Sequence, residues 1–129
     1  MIRFANPPAA PQPPSRYSQV AVAPANAEYV FLSGQVGLND DGSIAEGATR
    51  QAELTWKHIE TLLASEDLTL ADVVKVTGYL TSADDVGAYK EVRDRLMPEP
   101  PPASTVVIVS GFVAKGLLVE IDVVAVKRA

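Results

Sequence analysis

Two acidic side chains near the end of the chain are the residues best suited to chemistry. Glu120 and Asp122 interrupt an otherwise apolar run of strand-forming residues at 117–126. Residues two apart on a strand point to the same face, so both carboxylates face one way. Carboxylates are costly in apolar surroundings unless partners satisfy them or a reaction uses them. We take Glu120 as the candidate catalytic base and Asp122 as its structural partner. The alternative for Glu120 is a carboxylate held by backbone amides or by a neighbouring subunit.

The composition limits the chemistry that can surround Glu120. The chain has 129 residues with 47% hydrophobic and 21% charged residues, which is typical of one globular domain. A net charge of −5 argues against nucleic-acid binding, which needs a basic surface. The chain has no cysteine and a single histidine, His58, which excludes thiolate or histidine-rich metal sites. We therefore expect no metal site of either kind.

The sequence also favours a protein that works away from membranes. It contains no apolar run of the length, about 18 residues or more, that a membrane-spanning helix requires. Its N-terminus lacks the basic, apolar and cleavage regions of a signal peptide. We predict a cytoplasmic location and no membrane partner.

The chain divides into a short N-terminal segment and one domain. Residues 1–15 are rich in proline and are expected to be extended, and residues 16–129 form the domain. Two strands are predicted at the start of the domain, at 17–22 and 29–33, and residues 25–28 resemble a hairpin connection.

Two helices and three more strands follow. A stripe at helical spacing predicts the first helix, over 48–63: Ala48, Ala52, Trp56, Ile59 and Leu63. Apolar residues between Val86 and Met97 predict the second helix, and Pro98 ends it. Strands are expected at 73–80 and in two C-terminal segments. The order β-β-α-β-α-β-β predicts an α+β fold, with a mixed sheet that carries both helices on one face.

The second face of that sheet lacks a predicted cover. On strand 73–80 one side carries Val74, Val76, Gly78 and Leu80, and the other carries Val73, Lys75, Thr77 and Tyr79. A half-apolar face without helices favours contact between copies of the chain.

Several motifs in this order resemble one family. They are Arg16-Tyr17-Ser18-Gln19, the run from Val30 to Gly37, the run from Asp72 to Thr77, Pro102-Ala103, and the run from Val119 to Val126. Together they cover nearly the whole domain and resemble the RidA/YjgF family of reactive-intermediate deaminases, which has a chorismate-mutase-like fold.

The resemblance implies a homotrimer with a central barrel and with ligand clefts between subunits. It implies hydrolysis of small enamines or imines to 2-keto acids and ammonia, without a metal or organic cofactor. In that pattern Glu120 positions the attacking water, and Tyr17, Ser33 and Gly34 line the cleft. We assign further ligand contacts to Ser104, Thr105 and Val106.

The chain departs from the family pattern where the substrate carboxylate binds. The family has an arginine after Pro-Ala, whereas this chain has Ser104, which offers a single hydrogen bond. Such a loss weakens carboxylate binding by roughly 2–5 kcal/mol if the charge is buried. Lys90 stands where the family often has asparagine, and both Lys90 and Arg16 are candidates for a substitute cation.

Three functions remain open on the sequence. The first is an imine or enamine deaminase with Glu120 as base. The second is a non-catalytic trimer that binds a small molecule and has lost deaminase activity with the change at Ser104. The third is an endoribonuclease or translation inhibitor, an activity attached to some relatives, against which the acidic charge argues.

Overall fold

Two helices pack on one face of a five-stranded mixed sheet in this computed structural model, which describes residues 1–128. Ala129, the last residue of the predicted domain, lies outside the described residues. The elements are β1 (Arg3–Ala5), β2 (Val20–Val22), β3 (Glu28–Phe31), β4 (Gln35–Val36), α1 (Ala48–Ala64), β5 (Val73–Leu80), α2 (Val86–Leu96), β6 (Ala103–Ile108) and β7 (Val119–Lys127). Short 3-10 turns precede β5 and α2.

The sheet confirms the predicted α+β class. Its strand order is β3-β7-β5-β6, and β4 pairs with β7 beyond the end of β3. β5 and β6 run parallel because α2 crosses over between them, whereas β7 is antiparallel to its neighbours. The long strands β5 and β7 lie at the centre, so their side chains decide what each face of the sheet presents.

Both helices follow the apolar spacing of their sequences. The predicted stripe of α1, from Ala48 to Leu63, is buried along its whole length. In α2 the buried residues are Tyr89, Val92 and Arg93, and the helix ends two residues before Pro98. Within residues 1–128, neither helix is long and apolar enough to cross a membrane.

A β-bulge corrects the predicted face of one residue. The pairing of β5 with β7 shifts register between Val73 and Lys75. A bulge inserts one unpaired residue, so the side chains before it change face. Val73 is therefore buried on the helix side with Val76. Lys75, Thr77 and Tyr79 are half-buried on the opposite side, which we call the open face.

The predicted hairpin between the first two strands is wrong. β2 pairs antiparallel with β1 in a separate two-stranded sheet, whereas β3 pairs with β7. The chain reverses near Asn26, which has a φ of 63°. The N-terminal segment 1–15 therefore contributes a strand to this small sheet. This strand, β1, is three residues long and was not indicated by the sequence.

Gly78→Ala is expected to destabilise the fold by about 1–3 kcal/mol, the usual cost of overpacking a core. Gly78 lies in the middle of β5, and a Cβ there would be 2.7 Å from Cε1 of the fully buried Tyr89. Urea denaturation measures the change. Gly87→Ala is the matched control, because a Cβ at this helical position meets no atom within 4 Å. Equal midpoints for the two variants would contradict the overlap.

Candidate functional site

Glu120 lies on the open face, directly against Gly34. β4 pairs Val36 opposite Glu120, which aligns the turn at Gly34 with this part of β7. A Cβ on Gly34 would lie 2.9 Å from Cδ of Glu120 and would overlap Oε2. The missing side chain of Gly34 therefore leaves the room that the carboxylate occupies. Two of the residues predicted from the sequence thus meet in one place.

A tyrosine and a second carboxylate stand beside this pair. Tyr79 is opposite Glu120 in the pairing of β5 with β7, and its hydroxyl donates to Oδ2 of Asp122 at 2.9 Å. The hydrogen bond to Asp122 raises the pKa of Tyr79, and partial burial and the charges of Asp122 and Glu120 add to the effect. Tyr79 therefore stays protonated at neutral pH. Sequence reasoning named Tyr79 only as part of a half-apolar face, because the register that brings it to Glu120 is not readable from the sequence.

Thr105 shares the open face but lies apart from Glu120. Thr105 pairs with Thr77 on β5, and Thr77 pairs with Asp122 on β7. Two strand spacings and two residues along the strand separate Thr105 from Glu120 by roughly 12 Å. Lys75, which the sequence already placed on this face, donates to Oγ1 of Thr105 at 2.7 Å, a contact that sequence reasoning did not predict.

Ser104 faces the helices instead. It pairs with Val76, a fully buried core residue, so its side chain lies on the helix side of the sheet. There it lines a cavity that we call the helix-side pocket: Pro14, Ser15, Tyr17, Lys90, Arg93, Ser104 and Val106. The predicted binding residues Tyr17, Ser104 and Val106 therefore lie together, but they are separated from Glu120 by the sheet.

The remaining candidates have defined surroundings. Ser33 is exposed, and its backbone carbonyl accepts a hydrogen bond from Nε2 of Gln35 at 3.1 Å. Arg16, a candidate substitute cation, donates to the Met97 carbonyl at 2.8 Å and pairs with Glu99 at 2.9 Å. It fastens the N-terminal segment to the end of α2. Within residues 1–128, no group of three or more His, Asp or Glu side chains is arranged to hold a metal ion.

Known proteins match this chain over nearly its whole length. The family model described as Endoribonuclease L-PSP matches residues 7–127. A RutC family protein of Pyrococcus horikoshii is 32% identical over 121 residues, which cover 92% of this chain and 93% of that protein. A protein of Escherichia coli named as a candidate reactive intermediate deaminase, TdcF, is 27% identical over 104 residues, which cover 78% and 80% of the two chains.

A solved structure agrees with these sequence matches. The crystal structure of RidA from an Antarctic Psychrobacter species superposes with a TM-score of 0.72 at 32% identity, covering 95% of this chain and 98% of that one. The order of helices and strands, the matched length and the identity all agree. The chain therefore belongs to the RidA/YjgF family, whose family model carries the description Endoribonuclease L-PSP.

Proposed function

We propose that the protein is a cytoplasmic homotrimer that hydrolyses a small enamine or imine at clefts between subunits, with Glu120 as the base that positions water. Membership of the RidA/YjgF family supports the proposal, as does the similarity to a protein named as a candidate reactive intermediate deaminase. The reaction that we propose uses no metal and no organic cofactor.

The observation that carries the proposal is the carboxylate of Glu120 over Gly34 on the open face. An enamine first gains a proton on carbon and loses one from nitrogen, which gives an imine. Glu120 then removes a proton from water as the oxygen attacks the imine carbon, and passes this proton to the imine nitrogen, which gives a carbinolamine. The hydroxyl proton of the carbinolamine then moves to nitrogen as the C–N bond breaks, so ammonia leaves, a carbonyl group forms and the net reaction consumes one water. Tyr79 lies opposite Glu120 and already donates its one proton to Asp122, so its hydroxyl oxygen is left to accept a hydrogen bond from the ligand or from the water.

The surface of the open face supports the trimer. Phe31, which shares this face with Val124, is 73% exposed, and the neighbouring Tyr29 is 61% exposed. Large exposed apolar side chains on a sheet face are typical of protein contacts. Thr105 and Glu120 lie too far apart in one chain to touch one small ligand together. A cleft between subunits would bring ligand-binding side chains of a neighbouring chain to Glu120.

A non-catalytic trimer that binds a small molecule is the second candidate. The observation that favours it is Ser104, which stands where the family has an arginine and whose side chain lies on the helix side of the sheet. The cation that the open face offers nearby, Lys75, is already bonded to Thr105.

Gly34→Ala tests the proposal through the position of the carboxylate. The added Cβ overlaps Oε2 and forces Glu120 to move, and a displacement of about 1 Å can cost about 100-fold in rate. We expect the release of ammonia from freshly generated 2-aminoacrylate and from bulkier 2-imino acids to fall by that factor, while the fold persists. Gly111→Ala is the matched control, since a Cβ at this exposed position meets no atom within 4 Å.

The wild type decides between the two candidates. Ammonia release that Gly34→Ala lowers and Gly111→Ala leaves unchanged supports hydrolysis. If the wild type binds 2-keto acids but releases no ammonia from any of these substrates, the non-catalytic trimer is the better account.

A further inference from the structure

The turn between β4 and α1 carries an aspartate that is followed by a glycine. These residues are Asp41 and Gly42, and no other aspartate or asparagine of the sequence precedes a glycine. Both are exposed, and a Cβ on Gly42 would meet no atom within 4 Å. Glycine leaves its own backbone nitrogen uncrowded and lets the chain adopt many conformations. An aspartate side chain in such a place can react with the main chain.

The reaction is closure of a five-membered succinimide ring. The backbone nitrogen of Gly42 attacks Cγ of Asp41 and forms a C–N bond, while its proton and the OH of the neutral carboxyl leave as water. Water then adds to either ring carbonyl and breaks the bond from that carbon to nitrogen. Opening at the main-chain carbonyl gives isoaspartate, in which the chain runs through Cγ. One water leaves and one is consumed, so the mass of the protein is unchanged.

Hydrogen bonds occupy both reacting groups in the folded chain. The amide of Gly42 donates to the carbonyl of Asn39 at 2.9 Å. Oδ1 of Asp41 accepts from the Ser43 amide at 2.9 Å and from the Ser43 hydroxyl at 2.6 Å. The attack consumes the hydrogen that Gly42 donates, and it requires the carboxylate to turn from Ser43 towards the nitrogen of Gly42. Ring closure therefore has to break bonds that the fold provides.

Ser43 is the residue that holds this arrangement together. Its Oγ donates to Asp41 and also accepts from Nδ2 of Asn39 at 3.0 Å, and its carbonyl accepts from the Asn39 amide at 2.8 Å. The hydrogen bonds from Ser43 also lower the pKa of Asp41, so less of this carboxyl is in the neutral form that loses water. Ser43 thus restrains both the rotation and the protonation of the side chain that has to react.

We propose that Asp41–Gly42 is the site at which this chain forms isoaspartate, and that Ser43 slows the reaction in the folded protein. Isoaspartate adds one carbon to the main chain of the turn, between the bridged residues Leu38 and Ile44. Isomerisation therefore disturbs the link between β4 and α1. The proposal concerns a chemical modification and does not depend on the reaction proposed for Glu120.

Incubation of the full chain in ¹⁸O-labelled water at neutral pH tests the site. Each passage through the succinimide takes up one oxygen from water, so the peptide that contains Asp41 gains label even when the ring reopens to aspartate. Chromatography of the digested protein separates the isoaspartate peptide, and mass spectrometry measures the label. We expect label and isoaspartate to accumulate at Asp41. Faster accumulation in another peptide of the chain would overturn the site.

Ser43→Ala tests the protection. It removes the hydroxyl and is expected to raise the rate at Asp41 about fivefold, the factor that one hydrogen bond of ordinary strength contributes. Ser43→Thr keeps a hydroxyl and should react at the wild-type rate. Ser110→Ala is the matched control, because it removes an exposed hydroxyl from the loop before β7. Equal rates of folded wild type and Ser43→Ala would refute the role of Ser43.

The same measurement in concentrated urea separates the fold from the local sequence. Unfolding removes the hydrogen bonds of the turn but keeps the pair Asp41–Gly42. We expect wild type and Ser43→Ala to react at one common rate there, above that of the folded wild type. A difference between the two that persists in urea would place the effect of Ser43 in the sequence and overturn the role of the folded turn.

Discussion

Glu120→Gln is expected to lower the rate of ammonia release by about 100- to 10,000-fold, the usual contribution of a general base. The amide keeps the size of the carboxylate, so it still fits over Gly34. It cannot accept a proton from water at neutral pH. The change therefore removes the chemistry and leaves the packing of β7 and the assembly of subunits intact. Steady-state ammonia release measures the rate, and light scattering measures the mass of the assembly.

Glu60→Gln is the control for the loss of one negative charge, because Glu60 is exposed on α1. It should leave the rate unchanged. Asp122→Asn separates the two carboxylates of β7. The carboxylate of Asp122 accepts a hydrogen bond from Tyr79, and an amide oxygen can still accept it, so we expect a smaller loss. Full activity of Glu120→Gln would refute the role of the base.

The helices and the central strand β5 could be predicted from the sequence because their signals are local. The stripe from Ala48 to Leu63 predicts α1 to within one residue of its observed end at Ala64. The predicted bounds of β5 are those observed. The partner of β2 could not be predicted, since Arg3–Ala5 lies far away in sequence and carries no strand pattern. The bulge near Val73 likewise depends on the pairing with β7.

The candidate site likewise has features that local sequence signals predict and features that depend on strand pairing. The common face of Glu120 and Asp122 follows from strand alternation, and the resemblance to a family pointed to Gly34. Alternation places Lys75 and Tyr79 on the uncovered face of β5, but no sequence pattern gives the register that brings Tyr79 opposite Glu120 and Lys75 near Thr105. Alternation on β6 carries a further signal. Ser104 and Thr105 are consecutive, so they must face opposite sides of the sheet and cannot line one cleft within a chain.

Gln51→Leu is expected to lower the free energy of unfolding by about 3 kcal/mol, because it leaves three backbone groups without their partner. Gln51 is 1% exposed. Its amide nitrogen donates to the carbonyls of Ala45 and Gly116 at 2.9 and 3.0 Å, and its oxygen accepts from the Leu118 amide at 2.8 Å. Leucine has a similar volume but can make none of these bonds. Urea denaturation measures the stability, and hydrogen exchange at the Leu118 amide reports the local opening.

The same residue links this stability to the position of Glu120. Leu118 is the last residue before β7, so the bond from Gln51 fixes the start of the strand that carries Glu120. Gly37, which follows β4, packs so closely on Gln51 that a Cβ there would lie 2.8 Å from Cβ of Gln51. Gln51 thus contacts the chain next to both strands that bring Glu120 and Gly34 together.

Gln35→Leu is the matched control, because the side-chain amide of Gln35 bonds a single exposed carbonyl, that of Ser33. The free energy of unfolding of Gln35→Leu should differ from that of the wild type by less than about 1 kcal/mol. If Gln51→Leu unfolds at the same urea concentration as Gln35→Leu, the three bonds do not hold the loop that leads into β7.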